Sequence, residues 1–252
     1  MSKKSRWQRS PRLQEEYGRQ LRHVAKEVAR IVSGFDPENL ISQIATMPVL
    51  DDALRRYSEI LAPWAESIAA RMADKCDRQD KAIWATIGRS MGAALRHELE
   101  SAGTGEFQRQ WMREQVTLIK SLPLDASLRV HGIVLEGQME SIRFEEVARR
   151  IMETQDVTQA RATLIARTEV ARAATLLTQT RAESVGSEEY VWMTANDGDV
   201  RESHRELNGK IFRWDTPPEH REGGGRVYRS HPGCIFNCRC AAIPQIPGYP
   251  MA

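Results

Sequence analysis

Long apolar runs are missing from this 252-residue chain. None approaches the roughly 18 residues that a membrane-spanning helix needs. The N-terminus is basic, but no apolar core follows it, so it does not read as a secretory signal. The expectation is a soluble protein of a bacterial cytoplasm, or of a particle assembled there, with no membrane partner. Cysteine is scarce, confined to Cys76, Cys234, Cys238 and Cys240. In a reducing compartment four thiols do not predict a disulfide framework. The net charge is only +2, which by itself predicts no nucleic-acid partner. Also absent are a Walker A loop, a dinucleotide fingerprint, a His-Glu-x-x-His pair and a Ser-centred elbow. No repeat of fixed period is present either.

Enough apolar residue is present to bury a core (41%), although 28% of residues are charged and the mean hydropathy is −0.51. Residues 1–11 read as a basic flexible arm. Residues 12–154 read as a helical N-terminal domain. Leu13, Tyr17, Leu21, Val24, Val28 and Ile31 step by threes and fours, which marks one face of a helix, and Gly34 stops it. Leu50 to Cys76 repeats the pattern, with Pro63 expected to kink or split it. Asp80 to Leu99 predicts another helix. The segment from Phe107 is expected to end at Pro123, with shorter helices near 126–137 and 144–154. Val157 to Glu183 predicts one long helix without internal Gly or Pro. Beyond Gly186 the helical stripe stops. Tyr190 to Thr194 and Lys210 to Trp214 predict short strands, Asn208-Gly209 a turn before the second, and Arg221 to Arg229 a mobile loop. The predicted class is α+β: a mainly helical N-terminal region, a long connecting helix, and a small C-terminal α+β module with short strands over 155–246, followed by a tail at 247–252.

Four groups of residues can carry chemistry. Cys238-Arg-Cys240 offers two thiolates to a metal, and His204, His231 or Cys234 can add to them, which points to one structural zinc. The same thiols can also pack as small apolar groups beneath the strands. Asp199, ahead of a short helical turn, reads as an N-cap. With His204 it can also be read as an acid–base pair, the basis of an alternative function as a metal-dependent hydrolase or nuclease. Arg161, Arg167, Arg172 and Arg181, with Glu169, mark the long helix. They suit either an anionic partner or a solvated face with weak ion pairs. Last, Lys3, Lys4, Arg6, Arg9 and Arg12, with Trp7, form a basic aromatic-bearing arm. Up to Arg30 there are nine basic residues against Glu15, Glu16 and Glu27. Such an arm can lie along double-stranded DNA or be an ordinary disordered terminus.

Three spaced pieces of the C-terminal part resemble the phage head morphogenesis domain, the Mu F-like family of minor head proteins. They are Ile-Ala-Arg167-Thr-Glu169, the run from Trp192 through Asp199, Arg201 and His204 to Gly209, and Asn237-Cys238-Arg239-Cys240. Ile211-Phe212 and His231-Pro232-Gly233 complete the order. The resemblance spans about 120–246. It implies a minor head (capsid) protein of a tailed bacteriophage that acts in prohead assembly and not as an enzyme. Expected partners are the portal protein, scaffolding or major capsid protein, and packaged DNA. The expected location is the virion, inside the head, after assembly in the host cytoplasm. No catalytic residue comes with the resemblance. The block ends six residues before the chain does, so no toxin module of the kind fused to some relatives is expected.

Overall fold

The computed structural model describes residues 10–36, 46–90, 97–99, 101–222 and 225–249. They form an α+β protein with five long helices and two small antiparallel sheets. The helices are α1 (Pro11–Ser33), α2 (Thr46–Ile60), α3 (Ala62–Ile87), α4 (Gly105–Met139) and α5 (Phe144–Ser184). A 3-10 turn, Gly88–Ser90, extends α3. None is long and apolar enough to cross a membrane. Two compact units emerge. One gathers residues 1–15, 72–111 and 167–252; the other gathers 16–71 and 112–166.

In α1 the predicted stripe is the buried face: Tyr17, Leu21, Val24 and Val28 are all at most 2% exposed. Pro63 splits the next segment as expected. It lacks the N–H that would continue α2, and it sits in the first turn of α3, where that N–H is not required. Leu61 joins the two helices, donating to the Tyr57 carbonyl and accepting from Ala65 N–H. The expected start of a new helix at Asp80 is not seen, because α3 runs unbroken through it to Ile87.

Pro123 does not end its helix. It lies inside α4. Ile119, Leu122, Ala126, Val130 and Val134 keep one buried stripe going across it. Carbonyls beside the proline also take side-chain donors: Ser58 Oγ donates to the Lys120 carbonyl at 2.9 Å and Ser121 Oγ to that of Leu118 at 2.9 Å. Likewise the separate helices expected near 126–137 and 144–154 are the ends of α4 and α5.

In the first unit, β1 (Glu189–Met193) lies between β2 (Ile211–Arg213) and β5 (Ala241–Gln245), antiparallel to both. Tyr190 pairs with Phe212 on one side and with Pro244 on the other. Pro244 is tolerated because β5 is an edge strand. The expected loop at 221–229 is instead built around a ribbon, β3 (Glu219–Arg221) against β4 (Val227–Arg229). Residues 223–224 lie outside the described part. Short helix α6 (Glu202–Leu207) follows β1 and turns His204 and Leu207 inward. The core of this unit joins Trp84, Tyr190, Trp192, Trp214, Ile235 and Ala242 with the two thiols of Cys238 and Cys240.

Candidate metal-binding site

Period-two alternation points Tyr190 and Trp192 to the same side of β1, and both are fully buried. The Trp192 ring meets the His204 ring edge-on, with centroids 5.3 Å apart, and His220 at 6.1 Å. The sulfurs of Cys238 and Cys240 approach His204 Nδ1 from the turn before β5, at 3.6 and 3.5 Å. Gly233 N–H donates to Cys238 Sγ at 3.2 Å. A backbone donor favours the thiolate form.

On its far side His204 faces a second buried group. Its Nε2 lies 3.0 Å from Glu222 Oε1, within ion-pair reach but too poorly aligned to count as a hydrogen bond. Glu222 Oε1 also lies 3.0 Å from His220 Nδ1, and its Oε2 lies 2.7 Å from Arg201 Nε. His220 Nε2 is 2.8 Å from Ser230 Oγ. Burial, with the neighbouring His204, pushes the His220 pKa below its ordinary value against the pull of Glu222.

Two triads of ligand atoms thus share one histidine: His204, Cys238 and Cys240, and His204, His220 and Glu222. In each, the atoms lie within 4.8 Å of one another, and every residue is buried. His231 is elsewhere; its Nδ1 is 3.0 Å from the Tyr190 hydroxyl, and burial lowers its pKa. Cys234 belongs to neither triad.

Asp199 is not the N-cap of α6. Arg201 holds that position without a side-chain hydrogen bond. Asp199 is exposed and pairs instead with Arg239, whose Nη2 reaches Asp199 Oδ2 at 3.2 Å and Asp197 Oδ1 at 2.6 Å. Its backbone N–H closes a turn on Asp197 Oδ1 at 3.2 Å. His204 meets the two thiols and Glu222, and no hydrogen bond joins it to Asp199 among the described residues, although both line one cleft. The cap reading failed because α6 begins only at Glu202, which leaves Asp199 two residues outside the cap position.

Above the sulfurs lies an open polar cleft lined by Arg167, Asp199, Arg201, His204, Cys238, Cys240 and others. Arg167 projects from α5 into solvent. Next to it Thr168 Oγ1 accepts the Asn237 N–H at 3.2 Å, which holds the turn where Asn237 takes a φ of 51°. Glu169 is buried and 3.3 Å from Arg172. Gly209, at φ +79°, makes the predicted turn. Arg12 is exposed on the first turn of α1; Lys3, Lys4, Arg6 and Arg9 lie outside the described residues.

Arg181 departs from both sequence readings of the long helix. It is completely buried, bonded to Asp80 and, at 2.5 Å, to Asp77. His220 and Glu222 were missed. Their signal was the His-x-Glu spacing, which puts both on one face of a strand, but the expected loop concealed it.

Residues 129–243 match the family model described as Phage Mu protein F like protein. A 187-residue stretch is 32% identical to an uncharacterised protein of Haemophilus influenzae, covering 72% of this chain and 39% of that relative. Another stretch of 144 residues is 29% identical to "Minor head protein GP7" of Bacillus phage SPP1, covering 54% of this chain and 44% of that protein. The chain therefore spans less than half the length of either relative. No solved structure matches it. The buried histidine, the Cys-x-Cys turn and the long helix that carries Arg167 and Glu169 all fall inside the matched block, so residues 129–243 are a domain similar to Phage Mu protein F like protein.

Proposed function

We propose that this protein is a minor head protein of a tailed bacteriophage, acting in prohead assembly through contact with the portal protein. The observation that carries the reading is the Mu F-like domain over 129–243, together with the likeness to the SPP1 minor head protein. The surface of the helical unit supports it. Of thirteen large apolar side chains exposed among the described residues, ten belong to the unit of residues 16–71 and 112–166. Leu124, Leu128, Leu135 and Met139 on α4 step by four, seven and four, and so share one face of the helix. An exposed row of this kind suits a protein that is completed by a partner. The role is structural and binding, with no chemical step.

Co-expression with the portal protein of the same phage tests this. The two proteins are expected to co-purify, and a Leu128→Glu/Leu135→Glu double variant to lose the association while melting at the unchanged temperature. Failure to co-purify, with normal heads formed by phage lacking the gene, overturns the reading.

A further inference from the structure

We propose that His204 Nδ1, Cys238 Sγ and Cys240 Sγ bind one zinc ion, with Glu222 and His220 as the groups that orient the histidine. Distances decide the placement. Zinc bonds of about 2.3 Å to sulfur and about 2.0–2.1 Å to nitrogen, at tetrahedral angles, set nitrogen and sulfur about 3.5–3.6 Å apart. The observed separations are 3.5 and 3.6 Å. On the other side, two oxygen or nitrogen ligands of one zinc would lie about 3.4 Å apart. There His204 Nε2 and His220 Nδ1 each stand 3.0 Å from the same Glu222 oxygen, which is a hydrogen-bonding separation. The metal therefore belongs on the thiol side, and the carboxylate behind the histidine.

Hydrogen-bond capacity points the same way. A neutral imidazole has one acceptor lone pair, yet two sulfurs converge on His204 Nδ1. A thiol hydrogen bond uses that lone pair for only one of them, whereas a cation engages all three atoms. Nδ1 ligation leaves the proton on Nε2, 3.0 Å from Glu222 Oε1, where a small rotation of the ring or carboxylate on metal binding would align the hydrogen bond. A carboxylate behind a metal-bound histidine is the usual second layer of such sites. Arg201 and Ser230 then complete the network, at 2.7 Å from Glu222 Oε2 and 2.8 Å from His220 Nε2. The Gly233 amide adds its hydrogen bond to the Cys238 sulfur. The fourth coordination position faces the cleft beside Arg167, Arg201 and Arg239 and falls to solvent.

Full-length protein purified without chelator is expected to hold about one equivalent of zinc. Loaded with Co²⁺ instead, it should show thiolate-to-cobalt charge transfer and the intense visible bands of a tetrahedral ion. Cys238→Ser and Cys240→Ser should each lower the charge-transfer band. Glu222→Gln keeps all three ligands. It should weaken zinc binding about 10- to 100-fold with an unchanged cobalt spectrum at saturation. Thiol alkylation of the wild type guards against variants that do not fold: Cys238 and Cys240 should be protected as purified and modified after chelation. Three results overturn the proposal: transition metal below one tenth of an equivalent with no cobalt charge transfer, full zinc retained by the Cys238→Ser/Cys240→Ser double variant, or alkylation of both thiols at the same rate with and without chelator.

Discussion

Arg181 shows how much one side chain can govern. Its guanidinium sits between Asp77 and Asp80, completely buried. Thr178 donates to Asp80 at 2.7 Å and Thr104 to Asp77 at 3.2 Å, while Lys81 pairs with Asp77 from the surface at 2.9 Å. Burial pushes the Asp80 pKa up to about 6 despite the opposing charge of Arg181. Burial also raises Asp77, but its bonds from Lys81 and Arg181 outweigh this and hold it low. Removing Arg181 leaves two carboxylates without their shared cation. Arg181→Leu is expected to cost about 3–5 kcal/mol, read from urea unfolding. The loss should also depend on pH. Without the guanidinium the Asp80 pKa rises further above the ordinary 3.8, and Asp77 loses one of the two partners that hold it low. A raised acid pKa means the native state holds more protons than the unfolded state, so stability falls as pH rises. The variant should therefore be closest to wild type near pH 4 and fall further behind as the pH passes 6. A loss that is the same at pH 4.5 and pH 8 would count against this network. Nothing in the spacing of Arg181 foretold burial, because its partners come from a helix about 100 residues earlier in the chain.

At the scale of elements, the packing of α4 on α5 rests on a glycine. A Cβ built at Gly137 would lie 2.6 Å from Val147 Cγ2. Alanine at this position would gain roughly 1 kcal/mol in helix propensity, but overpacking against a β-branched side chain costs typically 1–3 kcal/mol. Gly137→Ala is expected to lower stability by about 1 kcal/mol. Val147→Ala in the same chain should make the glycine substitution neutral or favourable, a non-additivity that thermal unfolding of the four-member cycle measures. The helices themselves were largely legible. The α1 stripe and the break near Pro63 follow from side-chain periodicity and from a missing N–H, both local properties. Pro123 was misread because the packing of the buried stripe that runs past it, from Ile119 to Val134, is invisible to a rule about one residue. The β3–β4 ribbon was misread because three-residue strands with Gly-rich flanks carry almost no periodic signal.

For the whole molecule, charge distribution makes a separable prediction about DNA. If the arm tracks phosphates, the slope of log affinity against log salt should fall by about 0.9 for each phosphate that is no longer neutralised. Replacing Lys3, Lys4, Arg6 and Arg9 with Gln is expected to flatten that slope with no change in melting temperature; an unchanged slope assigns the arm no role on DNA. The compact units show why boundaries drawn along the sequence describe this molecule poorly. Each is assembled from separated stretches of chain, and four helices contribute residues to both.

The order of Arg167-Thr168-Glu169, Asp199, Arg201, His204 and Asn237-Cys238-Arg239-Cys240 was enough to identify the family domain, and residue types alone proposed His204, Cys238 and Cys240 as a ligand group. Helical periodicity and strand alternation are local, so the α+β class and the strand that carries Trp192 were also legible. Tertiary structure decided the rest. Only folding brings His220 and Glu222 behind His204, turns Asp199 toward Arg239 rather than α6, and seals Arg181 against two aspartates of α3. Those arrangements depend on distances between residues far apart in the chain, which hydropathy and local propensity do not encode.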